Sequence, residues 1–274
     1  MSRKFLDSEI LVSTKGMSKE EWLKHRQSGI GGSDASAVAG INPWKTAVQV
    51  YIDKKQEEVK EVKSFRMELG NRLEGFVAEL FTEETGLKVR NVNGILANEK
   101  YPFAFANIDR AIVGEKAFLE CKVTNSFNKK EWIKTIPIHY KIQMNHYMAV
   151  TGASHCYVAV LIGNEELVIH KLERDEDYIE EIMKLEEMFW NNCILGDDFP
   201  IPDGSSDYSK TLDILYKNSK QEELILFEAE SILERYDEVV KLYKDFEKEK
   251  KEVQAAAVVG ARWASHAGLS LAKE

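Results

Sequence analysis

Two segments in the middle of the chain carry the signals of helices. The first runs from Met67 to Thr85, where Gly86 supplies a stop and Glu74 lies at the edge of an apolar stripe. The stripe consists of Leu69, Leu73, Phe76, Val77 and Leu80. The second segment lies between Pro137 and Gly152, which favour the start and the end of a helix. We predict one helix for each segment.

Four runs rich in apolar residues predict β-strands. They are Phe103–Ile112, Ala117–Val123, Tyr157–Ile162 and Glu166–Leu172. Gly114-Glu115 joins the first two runs, and Gly163-Asn164 joins the last two in a turn suited to two-residue hairpin loops. The predicted elements therefore combine helices with strands.

The N-terminal segment contains two helix-start signals around a glycine-rich turn. Ser18-Lys19-Glu20-Glu21 has the form of a capping box and predicts a short helix that ends at about Arg26. After the turn, Ser33 or Asp34 is predicted to cap a second short helix through Ala39. A glycine-rich turn that leads into a helix presents backbone N–H groups to an anion, and Arg26 can hold the same anion with two hydrogen bonds. The alternative interpretation is a tight turn that only joins two helices.

The last third of the chain is predicted to be acidic and helical. Residues 173–195 form one such segment, and a loop rich in Pro, Gly, Ser and Asp over 197–207 predicts a boundary between a domain at 1–205 and a helical extension at 206–274. Residues 220–253 of the extension form a long charged helix, whose apolar positions can pack on the first domain or on a neighbouring copy. These positions are Leu224, Phe227, Ile232, Leu233, Val240 and Tyr243.

Composition narrows the class of protein. Hydrophobic residues make up 44% of the 274 positions, enough for a core, and no apolar run reaches the ~20 residues that a membrane span requires. The N-terminus develops no apolar signal core. Cys121, Cys156 and Cys193 are scattered without metal-ligand spacing, which favours a reducing, cytoplasmic setting and argues against zinc.

The charge of the chain is uneven. A formal net charge of −9 argues against a nucleic-acid partner, because phosphate contacts supply most of the affinity for DNA. Residues 1–66, however, carry 12 Lys and Arg against 9 Asp and Glu, and residues 122–145 carry five lysines against Glu131 alone. Residues 197–253 carry 9 basic against 16 acidic residues. Composition therefore permits a DNA enzyme without indicating one.

Asp109, Glu120 and Lys122 form a pattern suited to phosphodiester hydrolysis. Asp109 lies near the end of one predicted strand, and Glu120-Cys121-Lys122 lies in the next. Because side chains alternate along a strand, Glu120 and Lys122 share one face while Cys121 points to the opposite layer. Two carboxylates can hold Mg²⁺, and the lysine can orient or help deprotonate a water molecule. Glu74, on the preceding helix, can add a third carboxylate.

The same spacings also have purely structural interpretations. An Asp opposite a Glu-x-Lys is typical of a surface ion-pair ladder, and Glu74 is typical of a solvated carboxylate on a helix. Gln143 and Tyr147 are typical of helix residues that pack on a sheet. The spacings alone therefore leave the choice open.

Several short motifs follow one another in a specific order over residues 18 to about 205. They are Arg26–Ala35, Asn42-Pro43-Trp44, Gly70–Glu74, Asn107–Asp109, Leu119–Lys122, Ile136–Gln143 and Gln143–Tyr147. This set resembles the PD-(D/E)XK nuclease superfamily, and more specifically the YqaJ-type viral recombinase family, whose best-known relative is the phage lambda exonuclease. The superfamily's proline before the Asp is Ile108 here, a position that shapes the turn rather than the chemistry. The last 65 or so residues lie outside the resemblance.

The resemblance implies a fold and a metal site. The fold is an α/β restriction-endonuclease-like core, an α+β arrangement with a central mixed β-sheet flanked by helices, which would occupy residues 1–205. Asp109, Glu120 and the backbone carbonyl of Cys121 would hold Mg²⁺ or Mn²⁺, two ions in all, with Glu74 near them. Lys122 would be the catalytic lysine.

Further roles follow from the same resemblance. Gln143 would position the attacking water or the lysine, and Tyr147, one turn further along the helix, shares its face. Arg26 and Ser33 match positions that hold a DNA 5′-phosphate, and Trp22 matches an aromatic residue beside it.

The function implied is a metal-dependent exonuclease on linear double-stranded DNA. It would degrade one strand from the 5′ end and leave a 3′ single strand for a single-strand annealing protein, in the cytoplasm of a bacterial host and with a phage or prophage origin. A homotrimeric ring around the duplex would let basic stretches line the hole. The alternatives are an endonuclease or end-trimming nuclease with the same metal site, and a DNA-end-binding module without activity.

Overall fold

The structure, a computed structural model, describes residues 4–56, 64–204, 206–215 and 229–266. The chain forms two compact units, Met1–Lys217 and Asn218–Glu274, and each is described by itself.

The helices and strands of the described residues have the following bounds. The helices are α1 (Lys19–Gln27), α2 (Gly32–Val38), α3 (Ala47–Lys55), α4 (Phe65–Thr85), α5 (Lys129–Lys134), α6 (Ile138–Thr151), α7 (Glu176–Phe189), α8 (Ser206–Leu215) and α9 (Ala229–His266). The strands are β1 (Lys4–Phe5), β2 (Ser8–Ser13), β3 (Ile30–Gly31), β4 (Val89–Arg90), β5 (Gly94–Ala97), β6 (Ala104–Phe105), β7 (Arg110–Ile112), β8 (Ala117–Thr124), β9 (His155–Ile162) and β10 (Glu166–Glu173).

A mixed five-stranded sheet forms the centre of the first unit. Its order is β10-β9-β8-β7-β4, in which β8 and β9 are parallel and the other neighbours are antiparallel. The strands β1, β2 and β5 form a second, smaller sheet, and β3 pairs with β6. The predicted α/β architecture with a central mixed sheet flanked by helices is confirmed.

Helices cover both faces of the central sheet. Phe118 on β8 packs in the cluster that contains Met148 of α6, whereas Leu119 and Cys121 pack in the cluster that contains Val77 and Phe81 of α4. The alternation predicted for the strand through Glu120 is therefore present. Odd positions of β8 face α4, and even positions face α6.

The helix α4 differs from its predicted apolar stripe. Its buried positions are Val77, Ala78 and Phe81, while Leu69 and Phe76 are 37% and 49% exposed. Ser64 accepts a hydrogen bond from the N–H of Met67 at 3.2 Å, so the helix begins two residues earlier than predicted. The expected stripe was therefore wrong at Leu69 and Phe76, because packing on the sheet involves the C-terminal half of the helix.

Three local predictions change in detail. The second N-terminal helix begins at Gly32, with Gly31 rather than Ser33 or Asp34 as its N-cap. The run predicted as one strand over Phe103–Ile112 is divided into β6 and β7. The hairpin β9–β10 pairs Ile162 with Glu166, so its loop has three residues instead of two.

The other predicted helices are present. Ser18 and Glu21 form the capping box of α1, and α6 lies between Pro137 and Gly152, whose φ is +74°. Beyond the boundary predicted near residue 205, α8 packs on α3, and the buried Tyr208 donates a hydrogen bond to the carbonyl of Pro200 at 2.8 Å.

The second unit contains α9, which confirms the long charged helix predicted over 220–253 from Ala229 onward and continues beyond the predicted end to His266. The predicted apolar positions Leu224 and Phe227 lie outside the described residues. No helix in the described part of the chain is both long enough and apolar enough to cross a membrane.

Candidate active site

Asp109, Glu120 and Lys122 lie together at two neighbouring strands of the central sheet, Asp109 just before β7 and the other two on β8. Nζ of Lys122 lies 2.8 Å from Oε1 of Glu120. Asp109 directly precedes β7, and its Oδ2 accepts a hydrogen bond from the backbone N–H of Cys121 at 2.7 Å. The side chain of Glu120 is 5% exposed and that of Lys122 is 21% exposed, so this ion pair is not the surface ladder that the spacing alone permitted.

Two residues of α6 complete this group. Nε2 of Gln143 donates to Oε1 of Glu120 at 2.9 Å and lies 3.2 Å from the hydroxyl of Tyr147. Both side chains are buried. Five residues selected from the sequence, Asp109, Glu120, Lys122, Gln143 and Tyr147, therefore form one connected cluster.

Burial and the neighbouring charges shift the pKa values of the residues in this cluster. Burial raises the pKa of Asp109 well above its usual value, and the carboxylates of Glu120 and Glu74 raise it further. Burial also raises the pKa of Glu120, against the opposing effect of Lys122. Burial by itself would lower the pKa of Lys122, but Glu120 and Asp109 outweigh it and raise that pKa. Lys122 is therefore a hydrogen-bond donor within the cluster, and the carboxylates would be stabilised by additional positive charge.

Glu74 lies near these carboxylates, but its own carboxylate is paired with Arg110. Oε1 of Glu74 accepts a hydrogen bond from Nη1 of Arg110, which also donates to the backbone carbonyl of Asp109 at 2.7 Å. Arg110 was not predicted from the sequence as a site residue, although it directly follows Asp109. Because Arg110 already pairs with Glu74, a place for Glu74 beside a metal stays a prediction.

A divalent cation fits the donor atoms of the cluster. Oε2 of Glu120 is buried and has no hydrogen-bond partner among the described residues, whereas Oε1 is bound by Lys122 and Gln143. A buried carboxylate oxygen without a partner is costly, and oxygen is the ligand that Mg²⁺ prefers. In the described ranges no three His, Cys, Asp or Glu side chains form a complete metal site. An ion at Asp109 and Glu120 would therefore also need main-chain carbonyl oxygens and water as ligands.

The residues predicted to bind an anion also lie together. Nη2 of Arg26 donates to Oγ of Ser33 at 2.9 Å, and the guanidinium carbon lies 4.9 Å from the ring centre of Trp22. Arg26 and Trp22 belong to α1, whereas Ser33 belongs to α2. The capped helix α1 and the glycine-rich turn after it hold these three side chains in contact.

The buried Asp34 pairs with three basic side chains, one of which, Arg26, belongs to the predicted anion-binding group. Its side chain is 2% exposed and lies 3.2 Å from Arg26, 2.9 Å from Lys45 and 2.8 Å from Lys54. Burial by itself would raise the pKa of Asp34, but Arg26, Lys54 and Lys45 outweigh it and hold the pKa well below its usual value. Three cations around one buried carboxylate leave excess positive charge beside Ser33, although Asp53 also pairs with Lys45 at 2.7 Å. From the sequence, Asp34 was predicted only as a helix cap.

The glycine-rich turn brings this group against the carboxylate cluster. A Cβ atom added at Gly32 would lie 2.5 Å from Cε1 of Tyr147 and 2.8 Å from Cγ of Gln143. A Cβ added at Gly31 would lie 2.8 Å from Nη2 of Arg26. Glycine at both positions therefore allows the backbone of α2 to pack directly on α6 and on the guanidinium.

A buried ion pair next to the cluster was missed. His146 of α6 directly precedes Tyr147, and its Nδ1 lies 2.9 Å from both carboxylate oxygens of Glu186 on α7. Its Nε2 lies 2.9 Å from the carbonyl oxygen of Phe105. Both ring nitrogens face acceptors, which fits a protonated imidazole. No local sequence pattern predicts a contact between two residues that lie forty positions apart in the chain.

Comparison with known proteins gives matches in sequence and in fold. The model of the YqaJ-like viral recombinase domain matches residues 21–154. The chain is 39% identical over 264 residues to the protein of Bacillus subtilis (strain 168) called "Uncharacterized protein YqaJ", across 90% of this chain and 83% of that protein.

The solved structures that match include an alkaline exonuclease (LHK-Exo) from Laribacter hongkongensis. It aligns with a TM-score of 0.56 and 21% identity, over 65% of this chain and 93% of that chain. The structure of LHK-Exo in complex with dAMP aligns with a TM-score of 0.56 and 22% identity over the same shares. At these identities the likeness concerns the fold.

Proposed function

The chain belongs to the YqaJ-like viral recombinase family, and we propose that it is a metal-dependent exonuclease on linear double-stranded DNA. It hydrolyses the phosphodiester bonds of one strand from the 5′ end and leaves a 3′ single strand for recombination. The observation that carries this proposal is the connected cluster of Asp109, Glu120, Lys122 and Gln143, in which Oε2 of Glu120 is buried without a partner. The fold shared with an alkaline exonuclease supports it.

In the proposed mechanism, the residues of the cluster have different roles. Asp109 and Glu120 would hold Mg²⁺ or Mn²⁺, two ions in all, with the carbonyl of Cys121. When bound, the ion supplies a Lewis acid for the phosphoryl oxygen and increases the acidity of water. Gln143 and Lys122 both bind Oε1 of Glu120, which leaves Oε2 available to a cation.

Lys122 has a second task in this mechanism. The ammonium of Lys122, held beside Glu120, can donate a hydrogen bond to the attacking water or to the phosphate and stabilise developing negative charge. The proximity of Glu120 and Tyr140, whose ring centre lies 5.0 Å from Nζ, fixes the ammonium in position. A DNA-binding module without activity would not need this buried and costly arrangement.

The anion-binding group supports an exonuclease over an endonuclease. We assign the 5′-phosphate of a DNA end to Arg26, Ser33 and Trp22, where the excess charge around Asp34 attracts a dianion. Because the turn at Gly32 packs on Gln143 and Tyr147, a phosphate held there lies close to the carboxylate cluster. That proximity limits hydrolysis to bonds near an end.

The protein is expected to degrade 5′-phosphorylated linear duplex faster than 5′-hydroxyl duplex and to leave closed circular duplex intact. Arg26→Ala should remove most of the preference for the phosphate, because charge-assisted hydrogen bonds to a dianion are lost. End-labelled linear substrates and a covalently closed circle, digested with Mg²⁺, provide the measurement. Lys24→Ala, an exposed position on the same helix, is the control and should keep the preference.

Two results would redirect this assignment. Cleavage of the closed circle at the rate of the linear duplex would favour the endonuclease. Equal rates on the two kinds of 5′ end in the wild type would remove the 5′-phosphate site and leave the carboxylate cluster unaffected.

We also propose a homotrimeric ring around the duplex, which would keep an enzyme of net charge −9 on its substrate. The basic stretches 1–66 and 122–145 would line the hole and combine into one positive surface. In the second unit, α9 exposes apolar side chains at three- and four-residue spacing, which supports a helix contact with another copy. These are Ile232, Tyr236, Val239, Tyr243 and Phe246.

The ring is expected to have a mass of about 94 kDa, three times the 31.3 kDa of one chain. Light scattering coupled to size exclusion at micromolar concentration measures it. A mass near that of one chain, together with processive digestion, would exclude the ring.

The proposed partners and setting follow from the reaction. The 3′ single strand is the substrate of a single-strand annealing protein, and we propose such a protein as the partner. The viral recombinase family and the Bacillus subtilis relative support a phage or prophage origin and the cytoplasm of a bacterial host.

A further inference from the structure

A group of four aromatic rings extends from the core to the surface beside Lys122. Tyr140 lies 5.0 Å from Trp132 and 4.2 Å from His139, measured between ring centres. Trp44 lies 4.9 Å from His139 at an interplanar angle of 88°, and 6.2 Å from Tyr140. Trp132 is 3% exposed, whereas Trp44 is 66% exposed. The outermost ring of this aromatic group is therefore anchored on one side and open to solvent on the other.

The backbone of Trp44 is held as firmly as its ring. Oδ1 of Asn42 accepts hydrogen bonds from the N–H groups of Trp44 at 2.8 Å and Lys45 at 3.1 Å. Nδ2 of Asn42 donates to Oγ of Ser36 at 2.9 Å, which fastens the turn to α2. Pro43 restricts the backbone further. A ligand that stacks on Trp44 would therefore meet a ring that is already ordered, which lowers the entropic cost of binding.

The aromatic group is adjacent to the proposed catalytic lysine. Nζ of Lys122 lies 5.0 Å from the ring centre of Tyr140, which lies 6.2 Å from that of Trp44. The ring of Trp44 is thus at most about 11 Å from the ammonium, roughly three nucleotide steps along one strand of a duplex. Burial lowers the pKa of His139 against the opposing effect of Glu131, and Lys122 lowers it further, which favours the neutral ring.

We propose that Trp44 stacks on a nucleobase of the strand being degraded, within about three nucleotides of the bond that is cleaved. The proposal rests on the function proposed above. Every nucleobase has a π face, so stacking on an indole holds DNA without selecting a sequence. A base inside a duplex has both faces covered by its neighbours. The ligand is therefore an unpaired base at the DNA end, or the terminal base of the duplex.

Base-by-base removal from the DNA tests this contact without relying on hydrolysis. The full chain is titrated in EDTA with a 5′-phosphorylated duplex and with matched duplexes that lack one base at positions 1 to 4 from the end. In the wild type, one of these abasic positions should weaken binding by about 5- to 150-fold, the range expected for one stacked base. In Trp44→Ala the intact duplex should bind as weakly as that abasic duplex, and the positional effect should vanish.

Three further variants separate stacking from general apolar contact. Trp44→Phe should retain most of the positional effect because it keeps an aromatic face, whereas Trp44→Leu should behave like Trp44→Ala. Phe76→Ala removes an aromatic side chain that is 49% exposed on α4, outside both basic stretches, and it should leave the effect unchanged. Circular dichroism of Trp44→Phe and Trp44→Ala checks that both retain the fold.

The possible outcomes distinguish this contact from the proposed function. A wild-type positional effect that persists in Trp44→Ala would overturn the stacking, while normal hydrolysis of linear duplex would leave the nuclease intact. Wild-type affinity for the intact duplex in Trp44→Leu would show that a non-aromatic apolar side chain is sufficient, and it would also overturn the stacking. If the wild type neither binds nor hydrolyses DNA ends, the proposed function fails, and the stacking fails with it.

Discussion

Glu120→Gln is expected to lower the turnover of linear duplex DNA by at least ~10²-fold while leaving the fold intact. Glutamine keeps an oxygen that can accept the hydrogen bonds of Lys122 and Gln143, so the packing of the cluster is preserved. It removes the negative charge that would hold the cation. Lys122→Ala should cause a loss of similar size, because the ammonium that orients water and phosphate is gone. Initial rates on an end-labelled duplex, with thermal unfolding as the check on folding, measure both effects.

Matched substitutions outside the cluster are the controls for this result. Glu83→Gln and Lys88→Ala remove the same kinds of charge from exposed positions outside both basic stretches and should keep activity within a few-fold. The wild type should lose activity in excess EDTA and regain it with Mg²⁺ or Mn²⁺. Full activity of Glu120→Gln, or full activity in EDTA, would remove Asp109 and Glu120 as the proposed metal ligands.

Glu186→Ala is expected to lower the free energy of unfolding of the protein by about 3–5 kcal/mol, because it leaves the buried His146 without its counter-charge. Both side chains are at most 1% exposed, so water cannot replace the lost partner. The change would also loosen α6, which carries Gln143 and Tyr147. Urea unfolding followed by circular dichroism measures the loss.

Two comparisons give this prediction its control. Glu187→Ala, at the exposed neighbouring position, should change the free energy of unfolding by no more than about 0.5 kcal/mol. The double variant His146→Leu with Glu186→Leu removes both charges and should be more stable than Glu186→Ala alone, because no buried charge remains unpaired. A Glu186→Ala protein as stable as the wild type would show that His146 and Glu186 are not an ion pair.

The same pair predicts a dependence of stability on pH. Burial by itself would lower the pKa of His146, but Glu186 and the carbonyl of Phe105 outweigh it and raise that pKa. A raised folded-state pKa contributes stability that is complete below the unfolded value of about 6.5 and is lost as pH rises through the folded value. The wild type should therefore lose more stability above about pH 6.5 than the double leucine variant does.

Local signals in the sequence were sufficient for much of the fold and part of the site. The capping box at Ser18 and Glu21, and the pair Pro137 and Gly152, act within a few residues, so they fixed the positions of α1 and α6. Strand alternation placed Glu120 and Lys122 on one face, and Cys121 on the other, because the side-chain period of a strand does not depend on its partners. The order of the family motifs also predicted that Gln143 and Arg26 belong to the same site as these residues.

The tertiary structure alone decided which partners those side chains have. Asp34 appeared in the sequence as a cap, yet packing surrounds it with Arg26, Lys45 and Lys54 from three separate places in the chain. Arg110 on Glu74, and Glu186 on His146, are likewise contacts between positions 36 and 40 residues apart. The periodicity of apolar residues predicts which face of a helix or strand a residue occupies. It does not predict which residue of another element will pack against that face. That choice is made when helices pack on the sheet, because burial forces each remaining charge to find a counter-charge within hydrogen-bond distance.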